Sequence, residues 1–168
     1  EAIMQKMITK QELYQNKIDF KVGKTYSLDS LKEKLVQLGY ERNDLIENKG
    51  QFSIRGGIVD VGLSEKIGVR IEFWGDEVDS IRYFQIASQR STQMLKEITI
   101  FPAHEFIVSN LPACIQKIEE NYPEEKQDIE MIKSGDYVSK IDKYFNQFYE
   151  NTASFLDYLA ENTILAID

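Results

Sequence analysis

An alternation of apolar and polar residues between Gln51 and Phe106 limits the fold of this chain more than any other feature. Successive side chains of a β-strand point to opposite faces, so a period of two predicts strands with one apolar face. Glycines separate the apolar runs, as is typical of turns, and the pair Gly56 and Gly57 also suits a bulge or a close backbone approach. The sequence therefore predicts a meander of short antiparallel strands, whose apolar positions are Phe52, Ile54, Ile58, Val69, Ile71, Phe73, Ile81, Tyr83, Ile98 and Ile100.

An amphipathic helix is predicted directly before these strands. Ser27 is placed to cap its first turn, and Gly39 stands where a left-handed residue ends a helix. An alternating run at residues 18–22 predicts a further strand upstream. The helix would pack one face against the sheet, formed by Leu28, Leu31, Leu35 and Leu38.

The remainder of the chain has the pattern of helices. Pro112 and Pro123 each suit the start of a helix, and Asp136 is placed to cap a longer one that carries the aromatic residues 137–148. A last helix is predicted around residues 155–159. The apolar run at residues 163–167, Thr-Ile-Leu-Ala-Ile, is typical of a strand that is buried on both faces.

Together these patterns predict an α+β fold. It consists of a small antiparallel β-meander domain with a capping helix, followed by a mainly helical segment that ends in a buried strand. We place the segment boundaries at 1–26, 27–106 and 107–168.

Composition narrows the classes of function. The formal charge of −8 repels phosphate backbones, so the chain as a whole lacks the electrostatic attraction on which nonspecific nucleic-acid binding depends. A single cysteine, Cys114, excludes an intrachain disulfide and a multi-cysteine zinc site. No apolar run approaches the length of a membrane span, and no leader pattern opens the sequence, so we expect a cytoplasmic protein without a membrane partner. Because it begins without methionine, we also expect a piece of a longer protein.

Three motifs that suggest chemistry are weak. Gly-Lys-Thr at residues 23–25 resembles the end of a phosphate-binding loop, but position 18, where that loop needs glycine, is isoleucine. His104 is the sole histidine, and a structural or surface role is favoured for it. The acidic residues at 75–79 lack the spacing of a calcium loop and suit a solvated hairpin end. The sequence therefore predicts no catalytic residue, no metal site and no cofactor within this chain.

One predicted strand has an unusual set of side chains on its outward face. If Ile71 and Phe73 face the core, the alternation turns Arg70, Glu72 and Trp74 toward solvent. A large exposed aromatic side chain lowers solubility, so its presence on a surface favours a binding role.

Arg55 ends another alternating run with the same outward phase. If the two strands are neighbours, Arg55, Arg70 and Trp74 share one face, and tryptophan and arginine are enriched where protein interfaces concentrate their binding energy. The competing interpretation is that Trp74 packs under a helix while the arginines pair with Asp60 or Glu72.

Four segments together resemble one known family. They are residues 38–61 (LGYERNDLIENKGQFSIRGGIVDV), 69–84 (VRIEFWGDEVDSIRYF), 89–91 (QRS) and 98–106 (ITIFPAHEF). They are similar to the excision-repair family that includes the bacterial transcription-repair coupling factor and the excinuclease component UvrB, and the last two segments resemble the coupling-factor branch. The resemblance covers residues 38–106, in order and without interruption.

This resemblance implies an N-terminal piece of a large motor protein. Residues 27–106 would be the domain that docks onto the repair protein UvrA, while 1–26 and 107–168 would belong to the flanking domain into which it is inserted. ATP, magnesium, DNA and RNA polymerase would then be ligands of the parent protein, so we expect no enzyme activity and no cofactor in this chain, which we expect to be monomeric. The UvrA-binding positions implied by the family are Arg55, Arg70 and Trp74, and truncating either arginine is predicted to weaken UvrA binding.

The chain departs from the family pattern at two places. Trp74 stands where relatives commonly carry phenylalanine, and Gly62-Leu63-Ser64 replaces an aromatic residue and proline, which leaves the role of that loop open. Four alternatives remain: the corresponding region of the excinuclease component UvrB, a nucleic-acid-binding module, a structural spacer, and a hydrolase that uses Asp60 and Glu72. The hydrolase is disfavoured because the predicted alternation places its two carboxylates on opposite faces.

Overall fold

The chain forms two compact units. A computed structural model describes residues 6–104, 111–134, 141–160 and 162–163. One unit comprises residues 14–107, and the other comprises residues 1–13 and 108–168. The segments 1–26, 27–106 and 107–168 stay a prediction.

The elements follow one another in this order along the chain. The first ten are α1 (Lys10–Gln15), β1 (Ile18–Lys21), α2 (Leu28–Gln37), β2 (Glu41–Arg42), β3 (Gln51–Arg55), β4 (Ile58–Gly62), β5 (Ile67–Trp74), β6 (Glu77–Gln85), β7 (Ser91–Leu95) and β8 (Glu97–Ile100). They are followed by α3 (Leu111–Asn121), α4 (Lys126–Ser134), a 3₁₀ turn (Ile141–Tyr144), α5 (Phe145–Phe148) and a second 3₁₀ turn (Phe155–Tyr158).

A six-stranded sheet dominates the unit of residues 14–107. Its strand order is β2-β3-β4-β5-β6-β7, and every neighbouring pair from β3 to β7 is antiparallel, which confirms the predicted meander and the α+β class. One face of the sheet, the core face, packs against α2 and the β1–β8 pair. The core side chains of the sheet are Phe52, Val59, Val61, Val69, Ile71, Phe73, Val78 and Ile81.

The capping helix forms as its sequence predicts. The Ser27 hydroxyl oxygen accepts a hydrogen bond from the backbone N–H of Ser30 at 3.4 Å, and Gly39 adopts the left-handed φ of +82° that follows the helix. Three of the four predicted leucines are buried, namely Leu31, Leu35 and Leu38. Amphipathic spacing thus fixed both the existence and the buried face of α2.

Two features of the sheet differ from the prediction. Ile98 and Ile100 lie in β8, which pairs with β1 in a separate two-stranded sheet instead of continuing the meander. The last meander strand is β7, whose residues are almost all exposed and therefore lack the apolar alternation that identifies a strand. The assignment of residues 98–100 to the meander was wrong, because the predicted strand at residues 18–22 is their true partner.

The second unit is mainly helical in the part that the structure describes. Helices α3 and α4 bury Ile118, Ile129 and Ile132 against Tyr144. The predicted long helix is represented by the 3₁₀ turn and α5, with Asp136 outside the described residues. The predicted helix at 155–159 is a 3₁₀ turn. Residues 164–167 of the predicted buried strand also lie outside the described residues.

Because Tyr40 is buried, the sheet unit should become less stable at alkaline pH. Its side chain is buried, its hydroxyl donates to the carbonyl oxygen of Phe101 at 2.9 Å, and burial raises its pKa to about 12. Below pH 10 the phenol is protonated in both the folded and the unfolded chain, so its full contribution to the free energy of unfolding is present. Between pH 10 and 12 the unfolded chain loses the proton first, so the free energy of unfolding should fall by about 2 to 3 kcal/mol through this group.

Urea unfolding of the wild-type chain and of Tyr40→Phe at pH 8 to 11 measures this contribution. The variant should lose about 1 kcal/mol at pH 8 with its hydrogen bond, and its stability should then decline less steeply as the pH rises. Parallel curves for the two proteins would show that another group causes the alkaline loss.

Candidate functional site

The face of the six-stranded sheet opposite the core, which we call the outer face, carries the polar side chains of β5. The core side chains Val69, Ile71 and Phe73 alternate with Arg70 and Glu72, and Trp74 ends the strand in the outward phase. The predicted orientation of β5 is therefore the observed one.

A bulge in β6 keeps the two strands of this hairpin in phase. Glu72 pairs with Ser80, but the next residue, Phe73, pairs with Val78, so Asp79 is an extra residue on β6. The extra residue allows Val78 and Ile81, three positions apart, both to face the core. Because the extra residue is on β6, the alternation along β5 is unbroken, and Trp74 lies in the outward phase at its end.

A two-residue turn sets the phase of β4. Arg55 pairs directly with Ile58 across Gly56 and Gly57, so both side chains lie on the outer face, whereas Val59 is in the core. Gly56 has a left-handed φ of +57°, which glycine adopts without strain. The prediction that Ile58 faces the core was wrong. The two-residue turn pairs Ile58 directly with Arg55, and directly paired residues point to the same face.

Gly57 brings the ends of two hairpins together. The backbone N–H of Phe73 donates to the Gly57 carbonyl oxygen at 2.7 Å, and a Cβ atom on Gly57 would lie 2.7 Å from the Phe73 carbonyl oxygen. Only glycine fits this close backbone approach, which the sequence had suggested as one use of the pair. Arg55 and Trp74, which flank these two turns, therefore lie at the same end of the sheet.

Asp60 organises the two arginines. Its carboxylate is almost fully buried, with 1% of its side chain exposed, and it accepts three hydrogen bonds. The Arg70 Nε lies 2.7 Å from Oδ1 and the Arg70 Nη2 lies 2.8 Å from Oδ2. The Arg55 Nη2 lies 2.8 Å from the same Oδ2. These hydrogen bonds to Asp60 raise the pKa of Arg70. The two guanidinium groups thus share one buried carboxylate.

The two arginines differ in their exposure. The Arg70 side chain is 17% exposed and its guanidinium carbon lies 4.9 Å from the ring centre of Phe84, which is fully buried on the outer face with Ile46 and Ile86. The Arg55 side chain is 44% exposed. Arg70 is therefore largely a packed group, whereas Arg55 presents a cation to solvent.

Gln89 supports this arrangement, and no role was predicted for it. It has a left-handed φ of +56° without being glycine, which is uncommon. Its side-chain nitrogen donates to the carbonyl oxygens of Ile86 at 2.8 Å and Ile46 at 3.3 Å, and its oxygen accepts from Arg70 Nη2 at 3.4 Å. Its place in the Gln89-Arg90-Ser91 segment was the only sequence signal.

Glu72 forms a second ion pair on the same face. Its carboxylate accepts hydrogen bonds from Arg82 and, at 2.9 Å, from the hydroxyl of Ser80. Glu72 pairs with Ile58 and Asp60 pairs with Arg70, so the two carboxylates share the outer face, and their predicted placement on opposite faces was wrong. Each carboxylate is hydrogen-bonded to arginine, an arrangement that is typical of a structural role and not of a catalytic one.

Trp74 is exposed over 86% of its surface. The alternative in which it packs under a helix is therefore wrong, while the pairing of the arginines with Asp60, the other half of that alternative, is observed. The outer face thus combines a free indole with a half-exposed guanidinium that is fixed from below. Such a surface has the composition of a protein-binding site.

The described part of the chain offers no sign of a metal centre or of a membrane-spanning helix. Its residues include no group of three or more His, Cys, Asp or Glu that could hold a metal ion. No helix among them is both long enough and apolar enough to span a bilayer.

Comparison with known proteins identifies the family. Residues 18–106, just over half of the chain, match the family described as the UvrB interaction domain. The chain belongs to the UvrB interaction domain family. The match begins at β1 and includes all the outer-face residues described above, so this surface belongs to the UvrB interaction domain itself.

Several relatives of this UvrB interaction domain chain are transcription-repair-coupling factors. A transcription-repair-coupling factor of Bacillus subtilis (strain 168) is 36% identical over 99% of the chain. Those of Staphylococcus aureus (strain MRSA252) and Staphylococcus epidermidis (strain ATCC 12228 / FDA PCI 1200) are 27% identical over 98% and 97% of it. These matches confirm the predicted resemblance to the coupling-factor branch. The chain spans about 16% of the length of these relatives.

Proposed function

We propose that this chain is a docking domain that binds the repair protein UvrA through the outer face of its sheet. In the parent protein, which we take to be a transcription-repair coupling factor, this contact recruits UvrA to RNA polymerase stalled at a DNA lesion. Membership of a family described as an interaction domain and similarity to coupling factors support the proposal.

The exposure of Trp74 carries this proposal. An indole that is 86% exposed contributes little to the fold and lowers solubility, so its position at the hairpin end favours a binding role. The close approach at Gly57 places Arg55 at the neighbouring hairpin end. An aromatic anchor beside a cation is a combination found at the energetic centres of protein interfaces.

The two arginines would have different roles in UvrA binding. Arg55 is half-exposed and, among the described residues, hydrogen-bonds through Nη2 alone, so its remaining donors are available to a carboxylate of UvrA. Arg70 is mostly buried and makes two of the three bonds to Asp60, so it mainly positions the face. The family-implied site is thus divided into a contact arginine and a supporting arginine.

The other functions of a coupling factor would reside outside this chain. We propose that ATP and magnesium bind motor domains elsewhere in the parent, which also contacts DNA and RNA polymerase, and that this domain is itself monomeric, cytoplasmic and without enzyme activity. Its charge of −8 supports a protein partner over the phosphate backbone of a nucleic acid.

Titration calorimetry with purified UvrA tests the proposal through Arg55→Ala. Truncation strands the partner carboxylate and should weaken binding by about 2 kcal/mol, the lower end of the range for a desolvated charge pair, because Arg55 is half-exposed. Arg42→Ala is the matched control, since Arg42 is an exposed arginine of the edge strand β2 and should bind UvrA as the wild type does.

Absence of UvrA binding by the folded wild-type chain would refute the proposed function. Equal losses in the two variants would point to a general effect of charge instead of a contact at Arg55. Binding to DNA with a steep decline as salt increases would favour the nucleic-acid alternative.

A further inference from the structure

On the outer face, one row of directly paired side chains continues from β5 to the edge of the sheet. Arg70 pairs with Arg82 on β6, and Arg82 pairs with Met94 on β7. Directly paired residues of antiparallel strands point to the same face, so these three side chains lie side by side across the outer face. We call them the β5–β7 row.

Met94 ends this row as an exposed apolar group. It is 62% exposed, and it lies on β7, the last strand of the sheet, where no further strand pairs with it among the described residues. A second large apolar side chain on the face that presents Trp74 extends the area that a partner can cover.

The ion-paired network of the outer face, to which the row belongs, has one more cation than anion, although the protein as a whole is acidic. The hydrogen-bonded network of the outer face contains three guanidinium groups and two carboxylates, those of Arg55, Arg70, Arg82, Asp60 and Glu72. Adjacent like charges repel, and the two carboxylates only partly compensate the three cations. The acidic residues Asp76 and Glu77 lie at the β5–β6 turn, whereas Met94 lies opposite the middle of β6.

We propose that Arg82 and Met94 extend the docking surface, and that the part of UvrA that covers the β5–β7 row is an acidic surface with an apolar side chain facing Met94. This inference rests on the proposed function and specifies the chemistry of the partner. Arg70 joins the row to the Arg55 contact because both arginines bind the same carboxylate of Asp60. Arg82 is bound to Glu72, so the cation next to Met94 is held in place before a partner arrives.

Three substitutions of Met94 separate apolar contact from charge. Glutamine, glutamate and lysine have similar length and differ in charge, and the exposed position should accept all three without unfolding. Met94→Gln should weaken UvrA binding about tenfold by removing an apolar contact. Met94→Glu should weaken it further, and Met94→Lys should bind at least as tightly as Met94→Gln. Val36→Glu on α2 is the matched control, because it makes the same change of charge at an exposed residue of the helix that packs on the core face.

The outcomes distinguish this inference from the proposed function. Wild-type affinity in all three Met94 variants, together with a loss in Arg55→Ala, would place the row outside the interface and leave UvrA docking in place. Tighter binding by Met94→Glu than by Met94→Lys would show that the facing surface of UvrA is basic and would overturn the proposal. An affinity loss in Val36→Glu equal to that in Met94→Glu would also overturn it, because net charge would then be the cause.

Discussion

Arg70→Ala should lower the free energy of unfolding of the sheet unit by about 3 to 5 kcal/mol, the range for breaking a buried ion pair. The variant removes two of the three hydrogen bonds that Asp60 accepts, while the carboxylate stays buried with 1% of its side chain exposed. Arg55 cannot replace them, because it is half-exposed and reaches one oxygen. The packing of the guanidinium over Phe84 is lost as well. Urea unfolding followed by circular dichroism measures the change.

Companion variants identify the cause of this loss. Arg70→Lys should recover part of the stability, because an ammonium group keeps the charge but cannot make two parallel bonds to a carboxylate. Asp60→Asn in the Arg70→Ala background should also recover part of it, because the unpaired buried charge is then removed. A change below 1 kcal/mol in Arg70→Ala would mean that water or another cation satisfies Asp60, and the assignment of Arg70 as a supporting residue would fail.

Trp74→Ala should leave the fold intact and remove most of the affinity for UvrA. The indole is 86% exposed, so its loss should change the free energy of unfolding by no more than about 0.5 kcal/mol. An aromatic anchor at an interface centre contributes at least about 2 kcal/mol, which corresponds to roughly a thirtyfold weaker complex. Titration of UvrA with the variant, alongside urea unfolding, gives both numbers.

Trp74→Phe provides the control for this experiment. A phenyl ring retains a flat apolar contact, so this variant should bind UvrA within a fewfold of the wild type. Unchanged affinity in Trp74→Ala would remove the indole from the interface. A large loss of stability would instead indicate that the side chain packs against the protein in solution.

The strand β5 was predictable because its alternation is uninterrupted. Val69, Ile71 and Phe73 supply three apolar residues at a spacing of two, and the sheet buries all of them. The orientation of Arg70 and Trp74 followed directly. The bulge at Asp79 did not disturb this prediction, because the extra residue lies on the partner strand.

The arrangement around Asp60 was harder to predict from sequence. Its carboxylate is buried between neighbouring strands, and its partners Arg55 and Arg70 are five and ten residues away. Which pairs form depends on strand register, which the two-residue turn at Gly56 and Gly57 sets. Counting across that turn would have placed Ile58 beside Arg55 and Asp60 on the outer face.

Residues outside the periodic segments gave the least information. Strand β7 is an exposed edge with little apolar alternation, so neither the strand nor the position of Met94 was predicted. Gln89 acts through a left-handed backbone and contacts to Ile46 and Arg70, which depend on the folded structure. Single-sequence patterns report burial well, but they do not report contacts between separate loops.

The antiparallel pairing of β1 with β8 has a consequence for engineering. Ile18, the first residue of β1, lies opposite Ile100, the last residue of β8, so the first and last strands of the sheet unit have adjacent outer ends. A segment with neighbouring ends can be transplanted into a surface loop of an unrelated host without stretching either junction. The proposed docking surface should therefore be transferable as one segment, and an unrelated carrier protein that displays it should bind the partner that we propose.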